Sequence, residues 1–230
     1  MSELFYNPLF GLLLTLICGS LFWWLKGFEK LSFINPLLFS VVLIIVLLQS
    51  LNIPYETYKQ GADIIHLFLG PITVMLALPL YEHRSKFMQH KTAILSGTIL
   101  GSLSALISVF VLGRLFGLSE LFINSLLPKS MTTPIGISAS HMLEGIVGLS
   151  VISIVITGIF GSLIAPLVFK LLRIKSSISK GVALGVTSHV IGTAKAYELN
   201  KLCGAMSGLS IALAGFIGIM WISLLGVISG

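Results

Sequence analysis

The sequence predicts an all-α polytopic membrane protein, a single integral membrane domain over residues 1–230. It is read as two structural repeats of about four elements each, inverted relative to one another, with broken or re-entrant helices at the midplane. Three observations lead there. Of 230 residues, 56% are hydrophobic and 10% charged, with a mean hydropathy of +1.04, whereas a soluble domain carries about a quarter charged residues. Apolar runs of about 20 residues, enough to cross a bilayer, recur along the chain. One stretch among them, residues 126–140, carries Pro128, Pro134, Lys129 and the hydroxyls of Ser130, Thr132 and Thr133. Proline withholds a backbone donor and interrupts helices. Backbone freed in this way is tolerated at membrane depth only inside protein or beside a wet cavity.

The elements follow in order. A first span covers residues 8–25, with Trp23 and Trp24 as interfacial anchors and Lys26 and Lys30 beyond. No basic region precedes its apolar run and no small-residue cleavage site follows, so it reads as a retained span. A second, residues 33–51, is almost purely aliphatic, and residues 52–60 with Pro54 form a polar connection. The third, residues 62–80, contains Asp63, His66, Gly70-Pro71 and Pro79, and the Gly-Pro pair predicts a break. Residues 82–91 form a basic loop, and the fourth span, residues 92–112, is rich in Gly and Ser, which suit close helix contact. Residues 119–127 read as a short helical piece, followed by the proline-broken stretch and a second piece to Met142. Residues 146–172 form a span with Gly158, Gly161 and Pro166, and Lys170, Arg173, Lys175 and Lys180 make a second basic loop. Residues 181–199 are polar and glycine-rich, and residues 204–228 form the last span.

Ser2-Glu3-Leu4-Phe5-Xxx-Asn7 recurs 117 residues later as Ser119-Glu120-Leu121-Phe122-Xxx-Asn124. Each half reads as four segments whose third is polar and broken, which gives candidate repeats 1–113 and 118–230. Duplicated halves with breaks in corresponding places point to a secondary transporter. The net charge of +6 belongs to the loops, where basic residues mark the cytoplasmic side, and no nucleic-acid partner is implied. Placing the loops 26–32, 82–91 and 170–180 all on that side makes residues 119–142 a re-entrant hairpin. With residues 181–199 read as a crossing, the carboxyl terminus lies inside and the amino terminus outside. Cys18 and Cys203 read as buried free thiols. No phosphate loop, metal-ligand spacing or nucleophile elbow is present, so neither an enzyme nor a cofactor is expected.

Candidate site residues cluster in the broken segments. Lys129 is an intramembrane cation flanked by prolines, where function is the default reading, against snorkelling to an interface. Ser130, Thr132 and Thr133 either bond back to the chain and cap the second half-helix or meet a ligand, and the capped helix N-terminus is itself an anion site. Ser188, His189, Gly192 and Thr193 form the second cluster. His189 is either a satisfied buried histidine or a substrate or proton contact, because its ordinary titration lies near neutrality. Lys195 either binds substrate or pairs with Glu198 three residues on. Asp63 and His66 read as interfacial, and Gly70 and Pro71 as an architectural break.

Three motifs carry a family resemblance. They are Phe68-Leu69-Gly70-Pro71-Ile72-Thr73 with Ala77-Leu78-Pro79-Leu80-Tyr81; Ser125-Leu126-Leu127-Pro128-Lys129-Ser130-Met131-Thr132-Thr133-Pro134-Ile135; and Ser188-His189-Val190-Ile191-Gly192-Thr193-Ala194-Lys195-Ala196-Tyr197-Glu198-Leu199. In this order they resemble the LrgB/CidB family of antiholin-like bacterial inner-membrane proteins, over nearly the whole chain. The resemblance implies a multi-pass protein of the bacterial cytoplasmic membrane, linked to murein hydrolase and lysis control. It also implies transport of small monocarboxylates such as pyruvate, or glycolate as in the related plant plastid translocator. A small LrgA/CidA-type membrane partner goes with that implication. The expectation is therefore an alternating-access carrier of small carboxylates, homo-oligomeric and bathed in lipid. Its rival is an antiholin-like regulator or holin-associated pore that acts by oligomerising.

Overall fold

The computed structural model describes residues 7, 9–25, 36–68, 71, 74–75 and 77–229, in two compact units, Met1–Pro71 and Ile72–Gly230. Lys26, Lys30, Gly70 and residues 2–6 of the first copy of the duplicated peptide lie outside the described residues. So do the side chains of Trp23, Trp24 and His66.

The first unit contains α1 (Leu9–Leu25), α2 (Pro36–Ser50) and α3 (Tyr55–His66). The Asn7 side chain accepts a hydrogen bond from Leu9 N at 2.9 Å and so starts α1. At Gly11 there is no room for a Cβ against the Tyr58 carbonyl, so α1 and α3 meet backbone to backbone, and the Tyr58 and Thr15 hydroxyls bond at 2.9 Å. Cys18, Ile44, Leu48 and Ile53 form the core beneath. The polar connection expected over residues 52–60 is shorter than that. Pro54, extended at φ −60° and ψ 140°, sits at the N-cap and α3 begins at Tyr55, because proline's fixed φ suits a helix start. Asp63 is exposed on α3.

The second unit contains α4 (Ala77–Glu82), α5 (Arg84–Leu115), α6 (Glu120–Leu126), a 3-10 turn (Leu127–Ser130), α7 (Thr133–Met142), α8 (Val147–Leu171), α9 (Ser177–Leu199) and α10 (Lys201–Ser229). Helices α5, α8 and α10 are long and apolar enough to cross a membrane. The basic stretch expected as a loop is instead the first turns of α5, bent at His90 (φ −122°, ψ 20°). Cys203, like Cys18, is buried and free.

Between the long helices lie two helical hairpins. In the first, the end of α6 runs into the 3-10 turn, and α7 returns beside that turn. The open end of this hairpin is closed by Asn124 Nδ2, which donates to the Leu143 carbonyl at 2.9 Å, and by Ser150 Oγ, which donates to the Ser125 carbonyl at 2.7 Å and shares a 2.8 Å hydroxyl–hydroxyl bond with Ser140 Oγ. Ser125, Ser140 and Ser150 are fully buried. The second hairpin is α9 itself. His189 has φ 40° and ψ −129°, the geometry of the first central residue of a type II′ turn, and the chain reverses there. Residues 190–199 return along residues 177–188, so that Asn200 Nδ2 reaches Ser177 Oγ at 3.1 Å and Gly192 lies on the Leu184 carbonyl.

Each long helix crosses both hairpins at glycines or small residues. Gly97 and Gly101 of α5 face Val182 and Val186, and its Gly113 faces Ile123. Helix α10 passes Gly181 and Gly185 at Cys203 and Ser207, then meets Ile135 and Met131 at its Gly215 and Gly218. The hairpins therefore lie end to end, tips facing, and enter from opposite ends of the long helices. This corrects the reading of residues 181–199 as a crossing: they start and finish at the basic-loop end. Helix α10 then carries the carboxyl terminus to the opposite end, not to the side of Lys170–Lys180. The reversal needs no proline, because packing against α8 and α10 holds it.

Candidate functional site

The two tips meet. The His189 ring faces the Lys129 backbone, and the 3-10 turn and α9 are in contact. Helix α8 backs the junction. A Cβ on Gly158 would lie 2.8 Å from His189 Cε1, and Gly161 leaves no room beside Ser188 Oγ. Pro128 is buried and packs towards Gly136 of α7. Pro134 stands in the first turn of α7, where its missing N–H costs nothing. It therefore starts the second half-helix, and the break itself is the 3-10 turn and Met131.

The junction leaves polar atoms without partners. Thr132 is the N-cap residue of α7, yet its side chain makes no capping bond, contrary to the capping expected of it. Its Oγ1 is buried and unpaired, and so is His189 Nε2; both residues are 4% exposed. A buried polar atom without a partner costs about 1–3 kcal/mol, so two at one junction mark a place where a ligand or water completes the bonding. Lys129 is half-buried, and among the described residues its ammonium has no ion-pair partner. Ser130 and Thr133 flank it, each half-buried. Two half-helices begin here, α7 after Thr132 and residues 190–199 after His189, and helix N-termini favour anions.

Other expected residues serve the frame. Ser188 is buried, with its hydroxyl 3.2 Å from that of Thr187. Thr193 donates to the His189 carbonyl at 3.0 Å and shares a 2.7 Å bond with Ser207 Oγ of α10, which ties the returning limb to that helix. Gly192 permits the close return. Lys195 pairs with Glu198 at 2.8 Å on a partly exposed face and does not join the tip. Gly158, Gly161 and Ser207 escaped the sequence reading as site residues. For Gly158 the available signal was the small-residue pair Gly158 and Ser162, four apart in an apolar span.

Long apolar helices that cross two opposed hairpins, with a polar junction where the tips meet, define a membrane protein built on broken helices. The model of the LrgB-like family matches residues 15–227, and the chain belongs to that family. It is similar to the uncharacterized protein YxaC of Bacillus subtilis (strain 168), 37% identical over 82% of each chain. It is also similar to the uncharacterized protein YwbG of the same organism, 34% identical over 78% of this chain and 80% of that one. The antiholin-like protein LrgB of Bacillus cereus (strain B4264) is 31% identical over 93% of this chain and 94% of its own. No solved structure matches significantly.

Proposed function

We propose that the protein is a secondary carrier of small monocarboxylates, pyruvate- or glycolate-like, working by alternating access in the bacterial cytoplasmic membrane. The observation that carries this is the tip junction: buried, unpaired Thr132 Oγ1 and His189 Nε2 beside the Lys129 cation, unpaired among the described residues, and two helix N-termini. A carboxylate is met by Lys129 and the N-terminal amides. A 2-oxo or 2-hydroxy oxygen is met by hydroxyls of Ser130, Thr132 or Thr133, or by His189, which is also the group placed to move a proton. Half-helices whose N-termini point at an anion are a recurrent design of secondary transporters, although here both tips belong to the second candidate repeat. Rocking the long helices about the junction opens it to one side at a time. The helix ends keep the same offset of 117: the end of α4 (Glu82) falls on the end of α9 (Leu199), and the start of α5 (Arg84) on the start of α10 (Lys201). Helices α5 and α10 both pass the second hairpin first and the first hairpin after it, so this pair runs parallel, which corrects the inverted arrangement expected of it.

The test is uptake of labelled pyruvate and glycolate into proteoliposomes of the purified protein. Saturable uptake above empty liposomes is expected; its absence for both substrates refutes the carrier. The printed name of the Bacillus cereus relative favours a second reading, an antiholin-like regulator or pore acting by oligomerisation, with or without a small LrgA/CidA-type partner. A pore gives unsaturable leakage of unrelated solutes in the same vesicles.

A further inference from the structure

We infer that the pocket at the corner between α8 and α9 holds the headgroup of an anionic phospholipid. This cavity of about 380 Å³ opens at the basic-loop end of the second unit and is ringed by Lys170, Arg173, Lys175 and Lys180. Its floor is apolar, with Phe169, Ile174 and Leu199. None of its lining residues is acidic, and among the described residues none of the four cations is in an ion pair. Lys180 Nζ stands 5.9 Å from the centre of the Phe169 ring, so one charge is held over the floor itself. The nearby carboxylate of Glu198 is already committed to Lys195.

A preference for basic residues in cytoplasmic loops explains how many cations the segment has. It does not explain their convergence on one cavity with an oily floor. Four like charges around one cavity repel one another, and an anion among them relieves that repulsion. The floor and the surroundings select the source of the anion. Leu167, Leu171 and Leu172 next to the mouth are 67%, 77% and 64% exposed, an apolar surface against which acyl chains lie while the phosphate sits among the cations. Basic pockets at the cytoplasmic ends of membrane helices suit such headgroups. A free phosphate has no use for either apolar surface.

Native mass spectrometry of the full chain in neutral detergent, titrated with phosphatidylglycerol or phosphatidylcholine, tests this. The wild type is expected to retain phosphatidylglycerol in preference. Removing one cation should weaken that binding about fivefold, so Arg173→Gln with Lys175→Gln should weaken it roughly twenty-fivefold. Phosphatidylcholine binding should not change. The control pair Lys86→Gln with Lys91→Gln, at the same end but outside the cavity lining, should leave phosphatidylglycerol affinity as it is. Circular dichroism checks folding, and if the double variant does not fold, Lys170→Gln replaces it with the fivefold expectation. Equal retention of the two lipids overturns the inference, as does an unaffected cavity variant or an equal loss in the control pair. Displacement of the lipid by millimolar inorganic phosphate alone overturns it in favour of a free-anion site. The assay does not involve carboxylate transport, so its outcome is independent of the carrier reading.

Discussion

Lys129 concentrates the chemistry at the scale of single residues. A cation at membrane depth costs a few kcal/mol on insertion scales, and no carboxylate among the described residues pairs with it. If the substrate supplies that counter-charge, Lys129→Ala leaves the protein inserted and folded but abolishes carboxylate uptake. The expected loss is about 2–3 kcal/mol of binding, tens- to hundredfold in affinity. Lys129→Arg keeps the charge in a different geometry and retains part of the activity. Unchanged affinity and rate in Lys129→Ala makes the lysine structural. Gly158 provides a second check. Any side chain there meets His189 and Ile191 within 3 Å, so Gly158→Val should destabilise by about 1–3 kcal/mol and depress uptake. Gly148→Val, with nothing within 4 Å of its Cβ, should change neither thermal unfolding nor uptake.

The second hairpin is the decisive element. As a straight helix, α9 would hold its ends about 34 Å apart; folded at His189, they touch through Ser177 and Asn200. Ser177→Cys with Asn200→Cys, in a background of Cys18→Ala and Cys203→Ala, should therefore cross-link under mild oxidation. Failure to cross-link in folded protein would mean that α9 is extended. The first hairpin was legible in the chain, since Pro128, Pro134 and Lys129 cannot all belong to one lipid-facing helix. The second was legible only as a polar, glycine-rich segment. Its reversal rests on a histidine at positive φ, a conformation that L-residues adopt at a cost of roughly 1–3 kcal/mol, held by contacts from α8 that no local pattern encodes.

Across the whole second unit, opposed hairpins fix which ends lie together. Phe87 and Ile178 pack on one cluster, so Lys86 and Lys175 share an end, while Ser119 follows α5 at the other. Cysteines introduced singly at Lys86 and Lys175 should react with an impermeant reagent from the cytoplasm only, and one at Ser119 from outside only. Labelling of Lys86→Cys and Lys175→Cys from different sides would overturn the re-entrant arrangement. The same arrangement places the two tips together at the junction, as a single site read by every long helix of the unit.

The sequence by itself determined what depends on composition and local backbone chemistry. The membrane class follows from hydropathy, the long helices from the length of apolar runs, and the first break from proline. The residues of both tips were also marked, because hydroxyls, a lysine and a histidine are conspicuous among aliphatic neighbours. Only the tertiary structure decided what depends on approach between distant segments. Close side-chain packing at Gly158 and close backbone approach at Gly181, Gly185 and Gly192 turn α9 back on itself and send the carboxyl terminus to the far end. The same packing buries Thr132 Oγ1 and His189 Nε2 without partners, whereas Lys195 is matched to Glu198 and stays out of the junction. Hydropathy is a property of each segment alone; the pairing of polar atoms depends on which segments meet, and small residues far apart in the chain decide that.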